Sequence, residues 1–270
     1  MATQTLEVET VSYELDVVER FSSRRDGEHR VVDTTRESGS TLPPATLKKG
    51  RSIIVIAQLA GINFVTSFCG GILTIGLPTI AEELALEPAL LLWPSSAFYL
   101  ATGATLLIAG ALADAIGAKT INLAGCFFLT IFFAANSVAQ TGLQLIIFRA
   151  MQGLASSLVV PSAIAIISTS IESGRRRNIG FATLGLSMVL GFSFGLVLGG
   201  LLVSGPGWRI GYYIAAASSA AIFVMGLWAL PKGVKSESET SMRQKLTKEI
   251  DWVGAGIAST SLALFSYVLA

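Results

Sequence analysis

The chain has 270 residues, of which 52% are hydrophobic and only 14% charged, and its mean hydropathy is +0.65. Ordinary soluble domains are roughly a quarter charged, so a water-soluble globule is excluded and an all-α integral membrane protein is expected. The formal net charge is +1, which gives no field to recruit nucleic acid; the single histidine, His29, and the two separated cysteines, Cys69 and Cys126, give neither metal-ligand spacing nor a disulfide framework, so no metal, no cofactor and no enzyme is expected.

Residues 1–51 mix acids, bases, Ser, Thr and Gly without an apolar period, the composition of a disordered tail. Glu7, Glu9, Glu14 and Asp16 argue against a signal or transit peptide. Six apolar runs follow, near 53–80, 91–113, 120–139, 143–171, 179–204 and 208–230. Most reach the roughly 20 residues that cross a bilayer core as a helix. A polar loop over 231–250 then leads to a seventh span over 251–270, so residues 52–230 are expected to form a six-helix body with one further transmembrane helix behind it. Cys69 and Cys126 lie inside apolar runs and are read as packing residues.

Positive residues stay on the cytoplasmic side of short loops. Lys48, Lys49 and Arg51 precede the first span, Lys119 lies between spans two and three, and Arg175, Arg176 and Arg177 follow span four. Lys232, Lys235, Arg243, Lys245 and Lys248 follow span six, whereas the opposite side has only Arg209, with Glu82, Glu83 and Glu87. The N-terminus is therefore expected in the cytoplasm. Trp93 and Trp208 fall at outer boundaries and Trp228 and Trp252 at inner ones, the depth that amphipathic rings favour.

Between spans two and three the sequence reads Gly110-Ala-Leu112-Ala-Asp114-Ala-Ile-Gly117-Ala-Lys119. Gly117 permits a sharp reversal, and Asp114 is placed to accept from the N–H groups opening the third helix. The segment resembles the signature turn of the major facilitator superfamily, with Ala115 and Ala118 where that family usually has basic residues. In span four, Arg149, Gln152, Gly153 and Ser156 share one helical face by their spacing. A charge inside a membrane is costly and should face the bundle interior or a wet cavity. This stretch is similar to a second facilitator motif, in which the arginine is associated with proton coupling or substrate binding; a structural arginine bonded to carbonyls is the other reading. Span five carries Gly191, Gly195 and Gly199 at four-residue intervals, then Gly200, a face on which another helix can approach closely. It resembles the antiporter motif of drug exporters, with Leu196 in place of that motif's proline. Span one ends Cys69-Gly-Gly-Ile-Leu-Thr74-Ile-Gly76-Leu77-Pro78, similar to the first-helix motif of fourteen-span exporters, with Cys69 where those proteins have an aspartate.

With four motifs in order, the chain is identified as a member of the major facilitator superfamily, closest in pattern to the fungal fourteen-span drug:proton antiporters. The resemblance implies two inverted three-helix repeats and transport of a small organic substrate across the lipid bilayer of the plasma membrane or the vacuole, with protons as candidate coupling ion. Asn63, Ser67, Arg149, Gln152, Gly153 and Ser156 are the expected transport path, although a helix–helix hydrogen bond explains Asn63 and the serines equally well. No Asp or Glu lies well inside the first six spans, so a coupling carboxylate is expected either at Asp114 or outside this chain. Only one half of such a transporter is present. Self-association, a partner half, a truncated or regulatory chain, and an uptake carrier therefore all remain open.

Overall fold

The computed structural model describes residues 49–230 and, beyond them, Gly254, Gly256, Ile257, Thr260, Ser261 and Leu264, all helical. The expected tail up to residue 48, the 231–250 loop, Trp252 and the rest of the seventh span lie outside the described residues. Six helices follow one another: α1 (Lys49–Glu83), α2 (Trp93–Ile116), α3 (Ala118–Ser137), α4 (Gly142–Ser170), α5 (Arg175–Ser204) and α6 (Trp208–Ala229), with a short 3-10 turn at Pro88–Leu90. All six are long and apolar enough to cross a membrane.

Local chemistry sets the helix ends. The hydroxyl of Thr141 accepts from the Gln144 N–H at 3.3 Å and opens α4. Pro94 occupies the first turn of α2, where its missing N–H costs no helix bond. Gly117 separates α2 from α3 at φ +109° and Gly207 separates α5 from α6 at φ +101°, conformations an L side chain rarely adopts. These two turns are related. The pattern Gly110-x-Leu112-x-Asp114-x-x-Gly117-x-Lys119 recurs one repeat later as Gly200-x-Leu202-x-Ser204-x-x-Gly207-x-Arg209.

Packing shows the same duplication. α1 lies mainly against α5 and α6, α4 mainly against α2 and α3, and α3 also packs on α6. Exchanging α1 with α4, α2 with α5 and α3 with α6 leaves this set of neighbours unchanged. Because each repeat has three spans, the second runs opposite to the first, which is the inverted-repeat arrangement. Two apolar clusters fill the interior: Ile62, Ile72, Leu129, Phe133 and Tyr212 toward the Glu83 end, and Val55, Leu59, Ile166 and Ile167 toward the Gly117 end. The outward faces of α2 and α5 carry large apolar side chains, among them Leu106, Leu107, Val189, Val197 and Leu201, which suit contact with hydrocarbon.

Close helix contact depends on glycine. An added Cβ at Gly191 would lie 2.4 Å from Phe64 O, at Gly195 2.2 Å from Phe68 O, and at Gly199 2.9 Å from Ile72 Cα, so α5 rests backbone to backbone on α1. Gly200 has open space around it and does not share that face. In the other repeat, Gly153 lets α4 approach α2 in the same way, with an added Cβ 2.4 Å from Phe98 O.

Charged residues clasp both ends. Arg209, second residue of α6, pairs with Glu83 and donates through Nη2 to Ala139 O just past α3 at 2.9 Å. At the opposite end Lys119, second residue of α3, donates to Leu230 O just past α6 at 2.8 Å, and Arg51 Nε donates to Ala229 O at 3.2 Å. Each cation sits where helix carbonyls are left unpaired and the dipole is negative.

One expectation holds in part and one is corrected. Trp208 opens α6 at the span boundary, as expected, but its ring is turned inward: it is 1% exposed, donates to Glu83 Oε2 at 2.6 Å and stands edge-on to Tyr212. Trp228, in contrast, is 83% exposed. Asp114 does not cap α3. The cap is Gly117 with no side-chain bond, and Asp114 is exposed on the last turn of α2.

Candidate functional site

Where α1, α2, α4 and α5 come together they leave a cavity of about 230 Å³. From α1 it is lined by Asn63, Thr66, Ser67 and Gly70, a three- and four-residue spacing that puts all four on one face. α2 contributes Phe98, Tyr99 and Thr102, and α5 contributes Met188 and Phe192. Arg149, Ser156 and Val160 line it from α4. The wall is thus largely apolar and aromatic with a few convergent polar groups, the usual make-up of a small-molecule pocket.

Arg149 is only 2% exposed and lies roughly two turns into α4. Its Nε donates to Pro94 O at 3.3 Å and its Nη1 to Gln152 Oε1 at 3.2 Å. The guanidinium carbon stands 5.2 Å from the centre of the Phe98 ring, within cation–π range. Gln152 Oε1 also accepts from Asn136 Nδ2 at 3.2 Å, which ties the arginine to α3. Every described group that reaches the guanidinium is neutral.

The expected transport path is therefore divided. Asn63, Ser67, Arg149 and Ser156 meet at the cavity. Gln152 and Gly153 do not line it: Gln152 is fully buried toward Asn136 and orients Arg149 from behind, while Gly153 is taken up by the α2 contact. Arg149 thus bonds the Pro94 carbonyl and also lines the cavity. Asn63 donates to Leu59 O at 3.0 Å within its own helix, and Ser156 is buried at the cavity wall.

Thr66, Phe98, Tyr99, Thr102 and Phe192 also belong to the lining and were not foreseen; the i, i+3, i+4 spacing of Asn63, Thr66 and Ser67 was the available signal. A second polar cluster was missed entirely. Gln58 Nε2 donates to Asn122 Oδ1 at 3.4 Å and Asn122 Nδ2 to Ser162 Oγ at 3.1 Å, joining α1, α3 and α4. Cys126 takes part through sulfur contacts to Gln58 and Asn122, so it is more than a packing residue. Amides within apolar spans are costly unless paired, and that cost was the clue. In the signature turn, Gly110 faces Pro161 on α4 and Lys119 serves the clasp described above, while Leu112 is half-buried.

The sequence pattern of the Major Facilitator Superfamily matches residues 59–270. The chain belongs to that superfamily. Among curated relatives, this facilitator is 32% identical over 262 residues to MFS-type transporter 1 of Pyricularia oryzae, covering 86% of this chain and 43% of that protein. It is 32% identical over 197 residues to efflux pump terG of Aspergillus terreus, covering 71% and 36%. The facilitator chain thus spans less than half the length of these relatives. The crystal structure of the human organic anion transporter MFSD10 superposes with a TM-score of 0.52 at 17% identity over 68% of this chain and 48% of that one, a likeness of fold alone. As a facilitator with six apolar helices, it is a multi-pass membrane protein.

Proposed function

We propose that this chain supplies the substrate-binding half of a facilitator that exports small organic molecules, with the cavity between α1, α2, α4 and α5 as the binding site. The observation that carries the reading is that cavity, aromatic and apolar in the main, with one buried guanidinium and several hydroxyls converging on it. Binding and translocation, and no bond-making chemistry, is the task such a wall performs. Relatives named efflux pump terG, efflux pump terJ and cephamycin export protein support export over uptake. The Lys and Arg pattern supports a cytoplasmic N-terminus.

In this family, access alternates by rocking one half against another around a site near the bilayer midplane. A second half, from a second copy or from further chain, faces the open side of the cavity. Proton coupling enters through a carboxylate, with Asp114 the candidate in this half. The motif pattern of the fourteen-span antiporters is the support for that step.

The test is to express the chain as it stands in a strain stripped of its own exporters, confirm insertion, and follow energy-dependent efflux of cationic, neutral and anionic dyes. Efflux above the empty vector, lost in Arg149→Ala and collapsed by a protonophore, is the expected result. Full insertion with no efflux of any dye, even when a second half is co-expressed, refutes it.

A further inference from the structure

Arg149 brings a full positive charge to a largely apolar wall, and its described neighbours leave that charge unneutralised. The Pro94 carbonyl and Gln152 Oε1 take Nε and Nη1. Nη2 makes no hydrogen bond among the described residues, on a side chain that lines the cavity.

A buried charge is tolerated when it is paired and hydrogen-bonded, and its attraction for an opposite charge grows as water is excluded. An arginine fork with a free edge matches a carboxylate. Around it, Phe98, Tyr99 and Phe192 offer ring faces, and Ser67 and Ser156 offer hydroxyls.

We propose that this cavity selects organic anions: the carboxylate of a small aromatic acid takes the open Nη2 edge of Arg149 while its ring system lies against Phe98, Tyr99 and Phe192. This deepens the transport reading and rests on the cavity being the binding site. Gln152 is a positioning residue, holding Nη1 and leaving Nη2 for the ligand.

The experiment uses the purified chain in phosphatidylcholine nanodiscs, a bilayer without net charge, and three ligands of one shape: 1-naphthoate, 1-naphthamide and 1-naphthylmethylammonium. Naphthoate is expected to bind at least about tenfold more tightly than the amide, the affinity one charge-assisted hydrogen bond contributes, with the ammonium weakest. Arg149→Gln should reduce naphthoate to the affinity of the amide. Gln152→Glu retains the arginine and gives it an internal counter-ion at the atom that already accepts from Nη1, so it should abolish the naphthoate preference in a protein that still binds the amide. Equal binding of all three ligands, unchanged in both variants, overturns anion selection and leaves the cavity as a site for organic molecules. Failure of all three to bind the folded wild-type chain overturns both readings.

Discussion

The α1–α5 seam gives the sharpest stability prediction. In Gly195→Ala the new methyl would begin 2.2 Å from Phe68 O and 3.0 Å from Gly71 Cα. Ordinary carbon–oxygen contacts are about 3.3 Å or more, so the two helices must part by about 1 Å at that level. Both obstacles are main-chain atoms in mid-helix, so no rotamer change relieves them. A gap of that size forfeits up to about half of each dispersion contact along the seam, and dispersion is the main force between helices in lipid. Overpacking of this kind costs about 1–3 kcal/mol, and the backbone obstacle places Gly195→Ala in the upper part of that range. Gly200→Ala is the control, because its methyl enters open space and gains up to about 1 kcal/mol of helix propensity. Unfolding in mixed micelles with increasing dodecyl sulfate, followed by tryptophan fluorescence and circular dichroism, gives the difference directly. If the two variants lie within about 0.5 kcal/mol of each other, the backbone-contact argument is wrong.

Two further tests use the same assay. Gly117→Ala and Gly207→Ala each force a methyl onto positive φ and should each lose about 1–3 kcal/mol, although an added Cβ at either position meets nothing within 4 Å; wild-type stability in both would remove backbone strain as the reason for these glycines. Asn122→Leu should cost about 1–3 kcal/mol because it leaves the amide of Gln58 and the hydroxyl of Ser162 without their bridge, whereas Gln58→Leu also removes a buried Oε1 that has no partner and should cost clearly less; the opposite order would refute this account of the cluster.

Span number and limits were legible because a helix in lipid must close its own backbone bonds over a fixed thickness, so run length alone defines it. The expected runs fall within α1 to α6 to a few residues at each end. Gly191, Gly195 and Gly199 were legible because a four-residue repeat of glycine has few other uses in a span. Rotational phase was not. In a soluble helix polarity marks the outward face, but here lipid and core are both apolar, so Arg149, Gln152 and Gly153 read as one face although only the arginine reaches the cavity. The inward turn of Trp208 was hidden for the same reason: an indole at a span end suits a headgroup layer or a carboxylate such as Glu83, and only the fold decides. For Asp114, the glycine at φ +109° lets α3 begin without a side-chain cap, and the carboxylate is left exposed.

The reciprocal clasps constrain how the chain is made. Lys119 emerges from the ribosome more than a hundred residues before Leu230, the carbonyl it holds, whereas Arg209 finds Ala139 already in place. The clasp at the Glu83 end can close as soon as α6 enters the bilayer, and the one at the Gly117 end waits for the last turn of that helix. Until the second repeat is made, the first three helices have no α5 to fill the seam beside α1 and no α6 to hold the start of α3. The first repeat is thus held open during synthesis and is completed only by the second.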